Sequence, residues 1–182
     1  VENDIEMVTE LRKHTDAILR VDANAGWTLE QALQKIPLLK ELGVELVEQP
    51  LAKDDWEGMK ILYERSPLPL FADEACVFEN DVEKCSEHFH GINIKLTKCS
   101  GITPARRMIT KARELNMKVM VGCMNESSVG TAAIAQLAPL LDQVDMDGPL
   151  LLAEDIAEGV TFENGKIMYT NEPGLGINIP AF

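Results

Sequence analysis

Leu46-Val47-Glu48-Gln49-Pro50 is a short apolar run that ends in an acid and is stopped by proline, and two neighbouring stretches repeat the design. Arg20-Val21-Asp22-Ala23-Asn24 precedes it and Phe71-Ala72-Asp73-Glu74 follows it; the interval from Asp22 to Glu48 and that from Glu48 to Asp73 differ by one residue. Amphipathic segments of helical length fill both gaps, so each run reads as a strand and each gap as a return crossover. The same beat extends outward. Strands are expected at Ile18–Val21, Leu46–Glu48, Leu70–Ala72, Ile92–Leu96, Lys118–Gly122 and Gln143–Met146. A strand-then-helix repeat without a Gly-rich phosphate turn favours an α/β fold of the (β/α)8 TIM-barrel type over a doubly wound nucleotide-binding sheet.

Six strands do not close such a barrel. The chain also opens at Val1 and runs at once into Asp4-Ile5-Glu6-Met7-Val8-Thr9-Glu10-Leu11, a mid-helix pattern with no initiator Met and no signal-like segment. A fragment is therefore expected, with 1–159 carrying a partial barrel and about two strands, with whatever preceded them, lying outside the chain. Thr28 with Gln31 makes a capping box before Ala32–Leu42, and Gly43 stands where a helix ends. Asp54 or Asp55 can cap Trp56–Glu64, and Thr103-Pro104 should open Ala105–Leu115. In 160–182 the beat stops: Asn164-Gly165 between alternating runs predicts a hairpin, followed by a tail.

The 182 residues, 46% of them hydrophobic, suit one domain with a sizeable core. A net charge of −13 argues against nucleic acid or an anionic membrane surface as partner, because both demand a basic face. No apolar run approaches the roughly 20 residues that span a bilayer. Cys76, Cys85, Cys99 and Cys123 show no C-x-x-C pairing and read as reduced thiols in a cytoplasmic protein.

In a barrel, Asp22, Glu48 and Asp73 would sit at the C-terminal rim, where active sites are built. Any one of them alone could cap the helix after its strand; three in phase repel one another unless a hard divalent cation lies among them, Mg²⁺ first and Mn²⁺ next. Asn24, two residues after Asp22, should face the same side, and Glu74 should face away. Lys95 interrupts the apolar run Ile92–Leu96 one strand further on. Beside the acids, desolvation and a cation would lower its pKa toward neutrality and fit it to take and return a proton. Without them it would be a lysine reaching solvent at a strand end. Lys98 falls before Gly101 and should be solvated.

Val119 through Ser128 is a strand running into a small, polar helix start that can line a pocket. Cys123 has no nearby His to make it a nucleophile and reads as pocket wall. Asp145-Met146-Asp147 presents two acids on one face, suited to a ligand ammonium or, more cheaply, to another helix cap. His88 and His90 form an H-x-H at the opposite end from the acids and should be surface residues. Pro173-Gly174-Leu175-Gly176 is too short a signal for phosphate binding.

Taken together, Val21-Asp22-Ala23-Asn24, Val47-Glu48-Gln49-Pro50, Ala72-Asp73-Glu74, Asn93-Ile94-Lys95-Leu96-Thr97-Lys98, Gly101-Ile102, Asp145-Met146-Asp147-Gly148-Pro149 and Pro173-Gly174-Leu175-Gly176-Ile177 resemble, in that order, the muconate-lactonizing-enzyme subgroup of the enolase superfamily, and within it the dipeptide epimerases. The resemblance implies that Asp22, Glu48 and Asp73 are Mg²⁺ ligands ending the third, fourth and fifth barrel strands, with Lys95 ending the sixth. It implies the general mechanism of that superfamily, a lysine base working with Mg²⁺ to form an enediolate. Asp145 and Asp147 would receive the α-ammonium of a dipeptide, Cys123, Met124 and Asn125 would line the pocket, and Asn24 would support the metal site. The expected reaction is inversion at the dipeptide's C-terminal residue. The alternatives are a cycloisomerase, an o-succinylbenzoate synthase or an N-acylamino acid racemase, or a metal-binding barrel without catalysis. Similar enzymes take a second lysine from a Lys-x-Lys on the second strand and carry an N-terminal capping domain, toward which the tail should return. Neither is in this sequence, so the chain by itself is not expected to be a complete catalyst. Barrels of this kind are often homo-oligomers.

Overall fold

The computed structural model of the chain describes residues 3–180. Val1 and Glu2, where the abrupt start was read, and Ala181 and Phe182 of the tail lie outside the described residues. The first helix, α1, covers Asp4–Arg12 and precedes β1, Leu19–Asp22. Thr28 then opens α2, Leu29–Glu41, with both halves of a capping box: its hydroxyl accepts the Gln31 N–H at 3.2 Å and the Gln31 side chain accepts the Thr28 N–H at 2.9 Å. After β2, Val44–Glu48, it is Asp55 that caps α3, Trp56–Arg65, by accepting the Gly58 N–H at 2.9 Å.

The remaining wall is β3 (Leu70–Ala72), α4 (Asp81–Cys85), β4 (Gly91–Ile94), α5 (Leu96–Cys99), α6 (Ile102–Glu114), β5 (Lys118–Val121), α7 (Ser128–Ala135) and β6 (Gln143–Val144). Helix α6 begins at Ile102, before the expected Thr103-Pro104 start, because Gly101 already turns the chain into it. Its Ala105, Met108, Ile109 and Ala112 are spaced to bury one face against the sheet. Three strands end earlier than their apolar runs suggested. The last paired residues are Ile94 with Val121 and Val121 with Val144, so Lys95, Leu96, Gly122, Asp145 and Met146 belong to chain that peels off at the rim.

All six strands run parallel in sequence order, β1-β2-β3-β4-β5-β6. Leu46 of β2, Phe71 of β3 and Met120 of β5 nevertheless form one buried cluster, separate from the main core. Two strands lie between β2 and β5, so the sheet must curl to bring these side chains together, and the result is a half-barrel with its inner layer filled. The helices pack on the outer face over the larger core, which includes Ile36, Leu39, Leu62, Ile92, Met108 and Val119. Among the described residues no helix is long and apolar enough to cross a membrane.

Gly91 is what lets the inner layer close. It is the register partner of Phe71, and a Cβ there would lie 2.6 Å from two carbons of the Phe71 ring. Gly91→Ala should therefore destabilise the fold by about 1–3 kcal/mol, the usual range for overpacking a filled core. Denaturant melts of the full-length protein check this; an unshifted midpoint would mean that the ring has free room to move.

Beyond the wall, β7 (Thr161–Glu163) and β8 (Lys166–Met168) form the expected antiparallel hairpin, with Asn164 and Gly165 at φ 50 and 74 in its turn. Phe162 and Ile167 pack against the main core, and the Tyr169 hydroxyl donates to the Ala135 carbonyl at 2.7 Å.

Candidate functional site

The curl of the sheet collects the inward-facing residues of successive strands. Asp22 is the register partner of Glu48, and Glu48 in turn pairs with Phe71, which puts Asp73 on the same face two residues further toward the rim. Asn93 comes from β4 and Lys95 from just beyond its end. Above the apolar layer they leave a cavity of about 240 Å³, lined by Asp22, Glu48, Asn93, Lys95 and Asp145 among others. A larger hollow of about 510 Å³ lies along α6 beside Thr103, Arg106 and Thr110 and contains none of these acids.

Two lysines converge on Asp73. Lys95 Nζ donates to one carboxylate oxygen at 2.7 Å and Lys98 Nζ to the other at 2.7 Å. The expectation of a solvated Lys98 is thus corrected: α5 places it one helical turn after Lys95, on the same side, where it pairs with a buried acid. Without an ion among the acids, Lys95 is charged more readily than an ordinary lysine. Burial does push it down, but the Asp73 contact and the charges of Asp73, Glu48 and Asp22 outweigh burial and hold it above its ordinary value.

Glu48 is pushed up to about 7, first by burial, against the hydrogen bond from Asn93 and with Asp22 and Asp73 repelling it. Asp22 is raised too, chiefly by burial, with the Asn24 N–H opposing and Asp73 adding repulsion. Asn24 does not face the way strand alternation predicted. It has left the strand at φ 46, and its backbone N–H rather than its side chain reaches Asp22, at 2.8 Å.

Two buried amides that sequence reading passed over fix these acids. Asn93 Nδ2 donates to Glu48 Oε1 at 2.6 Å. Gln49 Oε1 accepts the N–H groups of Asp73 and Ala75 at 3.0 and 3.1 Å, while its Nε2 donates to the Leu51 carbonyl at 2.9 Å. The loop that carries Asp73 is thereby tied to the loop that follows Glu48.

At the far side of the cavity Asp145, Asp147 and Cys123 bring their ligand atoms within 4.8 Å of one another, with Cys123 Sγ 3.5 Å from Asp147 Oδ1. Neither acid has an ion-pair partner among the described residues. Burial and then the charge of Asp147 raise Asp145. Burial, with the charges of both acids, pushes the Cys123 thiol up to about 11, which suits a neutral wall and not a nucleophile. Met124 and Asn125 are exposed beside them. Glu126, also passed over, is buried: Oε2 accepts the Met124 N–H and Oε1 has no partner. Elsewhere, His90 Nδ1 accepts the Leu70 N–H at 3.1 Å, and His88 meets the Lys84 carbonyl at 2.8 Å, both away from the acids.

Asp22, Glu48 and Asp73 offer oxygen donors only, on three adjacent strand ends, and two of them are raised by burial and mutual repulsion. That donor set fits a hard divalent cation. Their ligand atoms do not close to the 4.8 Å spacing of the Cys123 group, and Asp73 is paired with the two lysines.

A family model described as Enolase C-terminal domain-like matches residues 1–181. The chain belongs to that family. Among members of the enolase family, an L-Ala-D/L-amino acid epimerase of Flavobacterium johnsoniae is 56% identical over 176 residues, 97% of this chain and 52% of its own length. The structure of a substrate-liganded complex of the L-Ala-D/L-Glu epimerase from Bacillus subtilis superposes with a TM-score of 0.93 at 34% identity, covering 98% of this chain and 53% of that one. A dipeptide epimerase from Cytophaga hutchinsonii, complexed with Mg and D-Ala-L-Val, gives 0.92 at 29% identity over 98% and 51%. The chain spans about half the length of these enolase-family relatives.

Proposed function

We propose that this chain is the C-terminal barrel portion of a Mg²⁺-dependent dipeptide epimerase, an isomerase that removes and returns the α-proton of the dipeptide's C-terminal residue. The observation that carries the proposal is a cavity lined by Asp22, Glu48 and Lys95, with Asp73 held 2.7 Å from Lys95. The names of the most similar relatives support the substrate class.

Asp22, Glu48 and Asp73 would hold Mg²⁺, or Mn²⁺ in its place, and the ion would supply charge stabilisation for the substrate carboxylate. Lys95 serves one face of the α-carbon. Burial lowers its pKa, while Asp73 and the charges of Glu48 and Asp22 raise it, so drawing Asp73 away from Lys95 would remove the largest of the opposing effects and lower the pKa. Asp145 and Asp147, which repel each other and have no ion-pair partner among the described residues, would receive the substrate's ammonium, with Cys123, Met124 and Asn125 as wall and Asn24 bracing Asp22 through its backbone. The second acid/base, on the opposite face, would come from a lysine outside this chain. We divide the chain at 159/160, with the hairpin and tail returning toward a capping domain. Four free thiols suit a reducing, cytoplasmic compartment.

The test is α-proton exchange followed by NMR in D₂O, using the full-length protein with Mg²⁺ and a dipeptide panel that includes Ala-Glu and Ala-Ala. Exchange with inversion is expected, and its pattern names the preferred side chain. Exchange confined to substrates without a free amine would instead assign an N-acylamino acid racemase or a related muconate-subgroup enzyme.

A further inference from the structure

We propose that Asn93 is a positioning residue for Glu48, locking the carboxylate so that one oxygen is committed to the protein and the other is presented to the metal; this rests on the Mg²⁺ reading above. Asn93 is 2% exposed, and among the described residues its side chain makes one hydrogen bond, the 2.6 Å donation from Nδ2 to Glu48 Oε1. Its Oδ1 is buried with no partner. A buried carboxamide whose oxygen has no partner costs free energy that an apolar residue at this strand position would avoid. A residue kept only for packing would not carry that cost, whereas one kept to hold Glu48 must.

The neighbouring strand makes room for the same group. Gly122 follows β5, and a Cβ at that position would stand 2.8 Å from both the Nδ2 and the Oδ1 of Asn93. The carboxamide therefore fills the space where a side chain at 122 would begin, with Glu48 on its other side. Glu48 is itself 6% exposed and takes this bond against burial and the repulsion of Asp22 and Asp73. Removing the donor frees a buried carboxylate to turn away from its neighbours, and partners of this kind behind a metal ligand typically carry a tenfold to hundredfold share of metal affinity.

The experiment titrates Mn²⁺ into metal-free full-length protein and reads the free ion by electron paramagnetic resonance, with thermal melts in parallel. Glu48→Gln sets the frame and should lose the high-affinity site. Asn93→Ala should bind Mn²⁺ about 10- to 100-fold more weakly. Gly122→Ala, which keeps the carboxamide but displaces it, should weaken binding in the same direction, and should add little in the Asn93→Ala background, where the three atoms nearest the new Cβ are gone. Unchanged affinity in a folded Asn93→Ala protein overturns the inference, as does full additivity of the two substitutions. If Asn93→Ala does not fold, Gly122→Ala decides alone. Binding by Glu48→Gln equal to that of the parent overturns the metal reading and this inference with it.

Discussion

Lys95→Ala in the full-length protein is expected to abolish epimerisation, a fall of about 10³-fold or more given what a positioned general base contributes, while leaving exchange of the α-proton of one epimer with solvent. Inversion needs a base on each face of the α-carbon. In the proposed mechanism Lys95, paired with Asp73, serves only one face, so its removal should silence the epimer whose proton points at it. The other epimer still loses its proton to the base on the opposite face, and deuterium should appear there without net inversion. Lys98→Ala is the matched control. Lys98 holds the second oxygen of the same Asp73, but the cavity wall includes Lys95 and not Lys98. Its loss should alter the setting of Asp73 and slow turnover while both epimers continue to exchange. Exchange of both epimers by Lys95→Ala at the parent's rate would remove Lys95 from the chemistry.

Much of this arrangement was legible in the order of residues, because strand and helix signals are local. The capping box of Thr28 and Gln31, the Asn164-Gly165 turn and the alternation of short apolar runs with helices depend on neighbours within a few positions. So does the phase that sets Asp22, Glu48 and Asp73 at strand ends. Where local pattern and tertiary pairing part company, the sequence reading drifts. The apolar run Ile92–Leu96 continues past Ile94, but ladder pairing with β5 ends there, and Leu96 starts a helix. Asn24 sits at strand spacing from Asp22, yet the chain has already turned.

Asn93 and Gln49, which were passed over, and Lys98, which was misread, share one property: their partners lie far away in sequence. Asn93 meets Glu48 across 45 residues, Lys98 meets Asp73 across 25 and Gln49 meets Asp73 across 24. No periodicity in a single chain encodes such pairs. Two of them carried a local hint. Asn93 shares a face with Lys95 at strand spacing, and Lys98 shares one at helical spacing, so each follows from the position of Lys95 once the strand is known to give way to a helix. Gln49 and Glu126 offered no comparable signal, since a polar residue at a strand end is unremarkable until its burial is seen.

Asp145→Asn and Asp147→Asn should each raise the KM for dipeptides about 10- to 100-fold, the loss of one charged hydrogen bond of roughly 1.5–3 kcal/mol, with a smaller effect on kcat. In the proposed reaction the ammonium belongs to the residue that does not react, so its contact would be made equally in the ground and transition states, and its loss should fall on binding. Asp147→Asn should be the milder change for a physical reason: Asp147 is one of the charges that raises Asp145, and neutralising it makes the remaining acid easier to ionise. Substrates without a free amine should be indifferent to both. Melting temperature separates this role from the competing one, a helix cap. Asp147 stands at the N-cap position of the 3₁₀ turn Gly148–Leu151 but makes no capping hydrogen bond through its side chain. A true cap would cost about 1 kcal/mol when lost. A repelling pair kept for a ligand should do the opposite, leaving the folded protein as stable or slightly more stable once one charge is removed. A KM increase with an unchanged or higher melting temperature is the expected joint result, and a lower melting temperature with normal dipeptide turnover would return both acids to structure.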